Sequence, residues 1–267
     1  MKGAANPGID GRDFVRRMHA VAADPRLRMH AVARALLRLD PEAMAQLLGE
    51  VLRFGRSGDE AANCVLGAVM AVLEDRELGC GLLESLAAVP PERIAGEVAT
   101  LLATGPARRV LDEDAARADA RNFTETLGLL KTRARTVRDL DSIARIALAS
   151  NPSVVRNLLV NPRLTEATVV RLAARRPARA EPLVEVSRSR WGQRRPVRRA
   201  LVLNPYLPPE VGVKLVPLLL QQDWEEIAED RGLHPSVRAA ARTLLARPSG
   251  DMAEPPVQRP IEIDPDD

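Results

Sequence analysis

Aromatic side chains are scarce in this chain. They make up 2% of the 267 residues: Phe14, Phe54, Phe123, Trp191, Tyr206 and Trp224. Sheet sandwiches and barrels lean on aromatic and β-branched residues, so an all-β fold is disfavoured. The apolar share is Ala, Leu and Val instead, and Ala and Leu head the helix scale. Cysteine is scarcer still. Cys64 and Cys80 cannot build a disulfide framework or a four-ligand metal site. They read as buried thiols of an intracellular protein. Lysine is nearly absent, with three residues against 36 arginines. That imbalance matches the coding bias of a GC-rich, bacterial genome. Long apolar runs are missing too. No stretch reaches the ~18 uninterrupted apolar residues of a membrane span. The opening MKGAANPGIDGRDF has no apolar run of a secretory signal. The expected compartment is the cytoplasm, with no membrane partner.

Catalytic signatures are equally sparse. The chain has no Gly-x-Ser-x-Gly elbow, no phosphate-cradling loop and no Gly-x-Gly-x-x-Gly. Its three histidines are His19, His30 and His234. His19 and His30 straddle Pro25, which places them on different helices. His234 stands before Pro235 at a cap-like position. None joins a cluster with metal-ligand spacing. Carboxylate pairs such as Asp112/Asp114 and Glu225/Glu226 lie in charged stretches and read as solvated helix faces. No enzyme activity, cofactor or metal is expected.

What is present is helix after helix. Asp24-Pro25 and Asp40-Pro41 each set a capping carboxylate before a proline at the first helical position. Leu27, Val32, Leu36, Leu37 and Leu39 then form one apolar stripe. Met44, Leu47, Leu48, Val51 and Leu52 form another. A break from Gly55 to Gly58 precedes a helix over 59–73. Further helices are predicted over about 77–88, 92–103, 107–120, 122–132 and 137–149, punctuated by Pro90-Pro91 and Gly105-Pro106. No two-residue alternation supports a sheet.

Charge divides the chain. Residues 1–141 carry net −1, residues 142–247 net +9 and residues 248–267 net −5. The last segment holds five prolines and few apolar residues, a composition that predicts disorder. Between Arg163 and Arg199 stand eleven arginines and three acids, Glu166, Glu181 and Glu185. The densest part carries the candidate partner-binding residues Arg188, Arg190, Trp191, Arg194, Arg195, Arg198 and Arg199. Guanidinium forks suit carboxylates and phosphates, and the indole offers a flat face.

The second half also repeats itself. Asn161-Pro162-Arg163-Leu164 and Asn204-Pro205-Tyr206-Leu207 lead segments that align at an offset of 43 residues. That lies in the ~40–47 range of paired-helix HEAT repeats. Pro bars helical geometry at the residue before it, so each Asn-Pro stops one helix and shapes the turn to the next. Asn151-Pro152-Ser153-Val154 and His234-Pro235-Ser236-Val237 echo each other as well.

VRRALVLNPYLPPEVGVKL and HPSVRAAARTLL resemble the leucine-rich-repeat variant, an α-solenoid relative of HEAT repeats. The matching positions are Val197, Arg198, Ala200, Asn204, Pro205, Pro208 and Leu215. The likeness covers about residues 142–247, and its Xaa-Pro marks are irregularly spaced. It implies stacked helices and a binding surface, and it transfers no catalytic residue.

The expectation is an all-α solenoid of stacked HEAT-like helix pairs with irregular repeats. Its parts are a flexible N-terminus (1–10), an N-terminal helical part (11–141), a continuous basic part (142–247) and a disordered tail (248–267). The expected function is a scaffold or adaptor for a protein partner with an acidic surface. The alternative is nucleic-acid binding through the arginine-rich face 163–199. A weaker one is regulation of a signalling enzyme or small GTPase.

Overall fold

The capping carboxylates act where the sequence places them. Asp24 accepts from the Arg26 and Leu27 amides and starts α1's successor, α2 (Pro25–Leu36), after α1 (Gly11–Val21). Asp40 accepts from the Ala43 amide and starts α3 (Pro41–Arg56), while Asp59 accepts from the Ala62 amide and starts α4 (Glu60–Glu74). Gly58 turns between them with φ +86°, a left-handed backbone that glycine adopts without a Cβ clash. The computed structural model describes residues 10–21, 24–75, 77–112, 114 and 125–246. Among them are fifteen α-helices and no strand.

The remaining helices of the first half are α5 (Leu78–Ala87) and the short α6 (Gly96–Thr100), with a 3-10 turn at Pro91–Arg93 between them. The single helix expected over 92–103 is thus two shorter pieces. Pro91 lacks an amide proton, and the chain extends at Ile94. Helix α4 is the hub of this half. Its neighbours are α1, α2, α3 and α5, and Ala62, Val65, Leu66, Val69, Met70, Val72 and Leu73 are all buried. A helix apolar on several faces is stable only when surrounded.

The second half begins at α7 (Leu127–Thr136) and continues with α8 (Leu140–Ile146), α9 (Pro152–Leu159), α10 (Glu166–Ala174) and α11 (Ala180–Arg188). A 3-10 turn at Arg190–Gln193 leads to α12 (Arg195–Val202) and α13 (Pro209–Leu215). A second 3-10 turn at Val216–Leu218 leads to α14 (Gln221–Glu229) and α15 (Pro235–Leu245). Described residues 107–112 are not helical, which corrects that part of the helix expected over 107–120. Asp114 is helical, while residues 113 and 115–120 of that helix, the start of the one expected over 122–132, residues 1–9 and the tail 248–267 lie outside the described residues. Residues 107–112 contain only Val110 and Leu111 as large apolar side chains, too few for a stripe.

Two buried apolar clusters result. One runs from Phe14 to Leu101 and the other from Leu130 to Leu244. They meet where α4 touches α13 and α6 touches α15. Leu218 packs against the first cluster, Arg56 donates to the Leu244 and Ala246 carbonyls, and the buried Lys214 Nζ donates to the Leu73 carbonyl at 2.8 Å. Cys64 is half-buried and Cys80 exposed, which corrects the expectation of two buried thiols. Cys80 is on the outward side of α5, where Leu82 and Leu86 already fill the inward one.

Candidate functional site

Helices of the second half are tied to their next-but-one neighbours by polar side chains. Just past α9, the buried Asn161 donates Nδ2 to the Ala134 and Val137 carbonyls at the end of α7. Just past α12, the buried Asn204 donates likewise to the Ala173 and Arg175 carbonyls at the end of α10. Each asparagine also accepts from the amide two residues on, Arg163 or Tyr206. The last carbonyls of a helix have no partner within it, and these side chains supply one. Trp191 Nε1 donates to the Leu159 carbonyl, linking α11 to α9. Arg175 bonds the Leu148 carbonyl past α8, and Arg176 bonds the Leu203 carbonyl at the end of α12. The two other proline marks act differently. Asn151 and His234 are N-caps, accepting from the Ser153 and Ser236 amides.

These links span 24 to 32 residues. The offset of 43 therefore is not the spacing of one helix to the neighbour it is tied to. Asn161 follows α9 and Asn204 follows α12, three helices apart. The echo arises because both positions solve the same end-of-helix problem.

The arginine cluster belongs to the same scheme. Arg195 and Arg199 on α12 both reach Asp223 on α14, at 3.0 and 3.1 Å. The Asp223 carboxylate is 3% exposed and also accepts from the Leu220 amide, closing the first turn of α14. Arg199 makes a second ion pair with Glu226. Arg194 lies 3.8 Å from Glu166 on α10, and Arg156 on α9 grips Glu185 on α11 through two bonds.

Arg198 turns inward instead. It donates to the Gly192 carbonyl at 2.8 Å and to Gln193 Oε1 at 2.9 Å. Burial holds its pKa below the ordinary arginine value, opposed by the charge of Glu74. The adjoining turn admits no side chain at 192, since a Cβ there would stand 2.0 Å from the Ser187 carbonyl oxygen. Trp191 is half-buried against the second core, and the Arg190 guanidinium covers its ring at 4.9 Å.

The structure thus brings the seven candidates together and divides them. Arg195, Arg198, Arg199 and Trp191 hold helices to one another. Arg188, Arg190 and Arg194 are exposed. Two acids complete the cluster: Asp223, which the sequence reading did not single out because it lies outside the basic window, and Glu226, read there as part of a solvated helix face but paired here with Arg199. Their offset of 24–28 residues from the arginines they bind was the signal available.

A second charged group lies where the two cores meet. Burial pushes the Glu74 carboxyl up, against the pull of Lys214, Arg188 and Arg198. Burial pushes Lys214 down, against the pull of Glu74 and Glu210. One buried oxygen of Glu74 and one of Glu210 have no hydrogen-bond partner. Among the described residues no three His, Cys, Asp or Glu side chains could hold a metal ion, and no helix is long and apolar enough to cross a membrane. No family model matches the chain, and neither a curated protein nor a solved structure matches it.

Proposed function

We propose that the protein is a non-enzymatic scaffold that binds an acidic protein partner on the surface of its second half, a solenoid of the leucine-rich-repeat-variant kind. The observation that carries this reading is the series of ties from each helix to its next-but-one neighbour. Such ties set equivalent positions of successive helices side by side, so that side chains recur along one surface. Repeat surfaces of this kind suit extended partners. The outward arginines Arg188, Arg190 and Arg194 are part of that surface.

Nucleic-acid binding is the second reading, favoured by the net charge of +9 over residues 142–247. The two differ in what nuclease does. The immobilised protein is exposed to cell extract with and without nuclease. A partner that survives nuclease, and then binds directly once purified, supports the scaffold. Retention that vanishes with nuclease overturns it in favour of the phosphate backbone. In that case affinity for duplex DNA should fall with salt at a log–log slope of about −0.9 per phosphate contact.

A further inference from the structure

The ion pairs redraw the charge of the second half. Arg195 and Arg199 are matched by Asp223 and Glu226, Arg156 by Glu185 and Arg194 by Glu166. An arginine bonded to a backbone carbonyl, by contrast, keeps its full charge. Arg176 is one, because it spends its guanidinium on the Leu203 carbonyl at the end of α12. A cation is favoured at that end of a helix. Arg179 follows three residues later, at the start of α11, where its side chain caps nothing.

A third segment joins them. The Arg109 amide donates to the Pro205 carbonyl at 2.9 Å, which lays residues 108–110 against the loop that Arg176 also holds. Arg108, Arg109, Arg176 and Arg179 are all exposed. Among the described residues, none of the four pairs with a carboxylate, although Asp112 and Glu181 are close in sequence. The same place exposes apolar surface. Val110, in the segment laid against the loop, is 76% exposed. Tyr206 lies half-buried in the same loop.

We infer that this patch, around the Leu203–Tyr206 loop, is the docking surface for an acidic protein segment that also carries apolar side chains. The inference rests on the scaffold reading and adds a place and a chemistry to it. Four guanidiniums that meet no carboxylate among the described residues attract an anionic chain and speed its encounter. Val110 supplies an apolar contact that a phosphate backbone would leave unused. That pairing of charge with exposed apolar surface selects a peptide over a duplex.

The test is fluorescence anisotropy on the full chain with two labelled probes, a peptide of repeating Glu-Glu-Leu units and a duplex DNA of matched length. Arg108→Glu/Arg109→Glu/Arg179→Glu removes the patch and leaves Arg176 on its carbonyl. Arg190→Glu/Arg194→Glu removes the rival surface. Melting temperature is followed for both variants. The expected result is peptide binding by wild type and a loss of roughly tenfold or more in the triple variant, at an unchanged melting temperature. Loss in the rival variant alone overturns this docking surface and leaves the scaffold reading standing. Binding of the duplex and not the peptide overturns both. Binding of neither probe overturns the patch, and nuclease-treated capture then decides the scaffold reading.

Discussion

Asp223 is the residue on which the arginine cluster turns. Its carboxylate is buried, accepts from one amide and is shared by two guanidiniums. Removing one partner of a buried pair costs about 3–5 kcal/mol when the other stays buried. Here the arginine side chains are 43% and 44% exposed and can turn to water. Asp223→Ala should therefore cost about 2 kcal/mol, the middle of the range for a lost buried polar partner, read by urea unfolding. An unchanged midpoint would show that the cluster is a solvated face. Glu74 gives a second expectation at this scale. Its pKa is raised, so the folded state keeps a proton that the unfolded chain has released. The associated stability is fully present below the ordinary value of 4.5. It is lost as pH climbs through the raised value. Glu74→Gln keeps the neutral form at every pH, so its unfolding free energy should vary less with pH just above 4.5 than that of wild type. Parallel slopes in the two proteins would assign the pH dependence to other groups.

At the scale of elements, the helix ends carry the organisation. Asn161 and Asn204 each satisfy two carbonyls of another helix and one amide of their own turn. Asn161→Ala strands those groups in a buried place, so a loss of about 2 kcal/mol is expected. Asn151→Ala, at an N-cap nearer the surface, should cost about 1 kcal/mol. Equal costs in denaturant unfolding would erase the distinction between the two kinds of Asn-Pro. That distinction was invisible in the sequence, where both read Asn-Pro. What separates them is the partner, which lies 27 residues back for Asn161 and two residues ahead for Asn151. The starts of α2 and α3 were legible because an aspartate and its amide are neighbours in the chain, and that of α4 because Gly55 to Gly58 breaks the chain before it. The expected run over 92–103 was not, because its interruption depends on Pro91 and on packing against helices far along the chain. Asp223 was missed for the same reason: the contacts that define the cluster join α12 to α14.

For the whole molecule, the two cores share a seam of few polar contacts. Arg56 reaches the carbonyls at the end of α15, and Lys214 reaches the end of α4. Leu218 adds an apolar contact. Arg56→Ala/Lys214→Ala should weaken this seam more than either core. The expected outcome in calorimetry is that one thermal transition separates into two. A single transition at lower temperature would mean that apolar contact alone couples the halves. The all-helical class was legible from composition, because a chain with 2% aromatics and abundant Ala and Leu has few other options. The seam was not, since Lys214 and Leu73 stand 141 residues apart and no local pattern marks either.

The ties between next-but-one helices impose a rule of parity on any change in length. Odd-numbered helices are joined to odd-numbered ones, from α7 through α9 to α11. Even-numbered helices are joined to even-numbered ones, from α8 through α10 and α12 to α14. Deleting one helix would hand the later helices of these two series to the wrong set, with their asparagine or arginine facing no carbonyl or carboxylate; α15, which Arg242 ties to its neighbour α14, stands outside the rule. Deleting or duplicating an adjacent pair keeps each set in step. Such a chain grows and shrinks by two helices at a time. A deletion of α9 with α10 should leave a folded, shorter protein by circular dichroism and size-exclusion chromatography, whereas deletion of α10 alone should not.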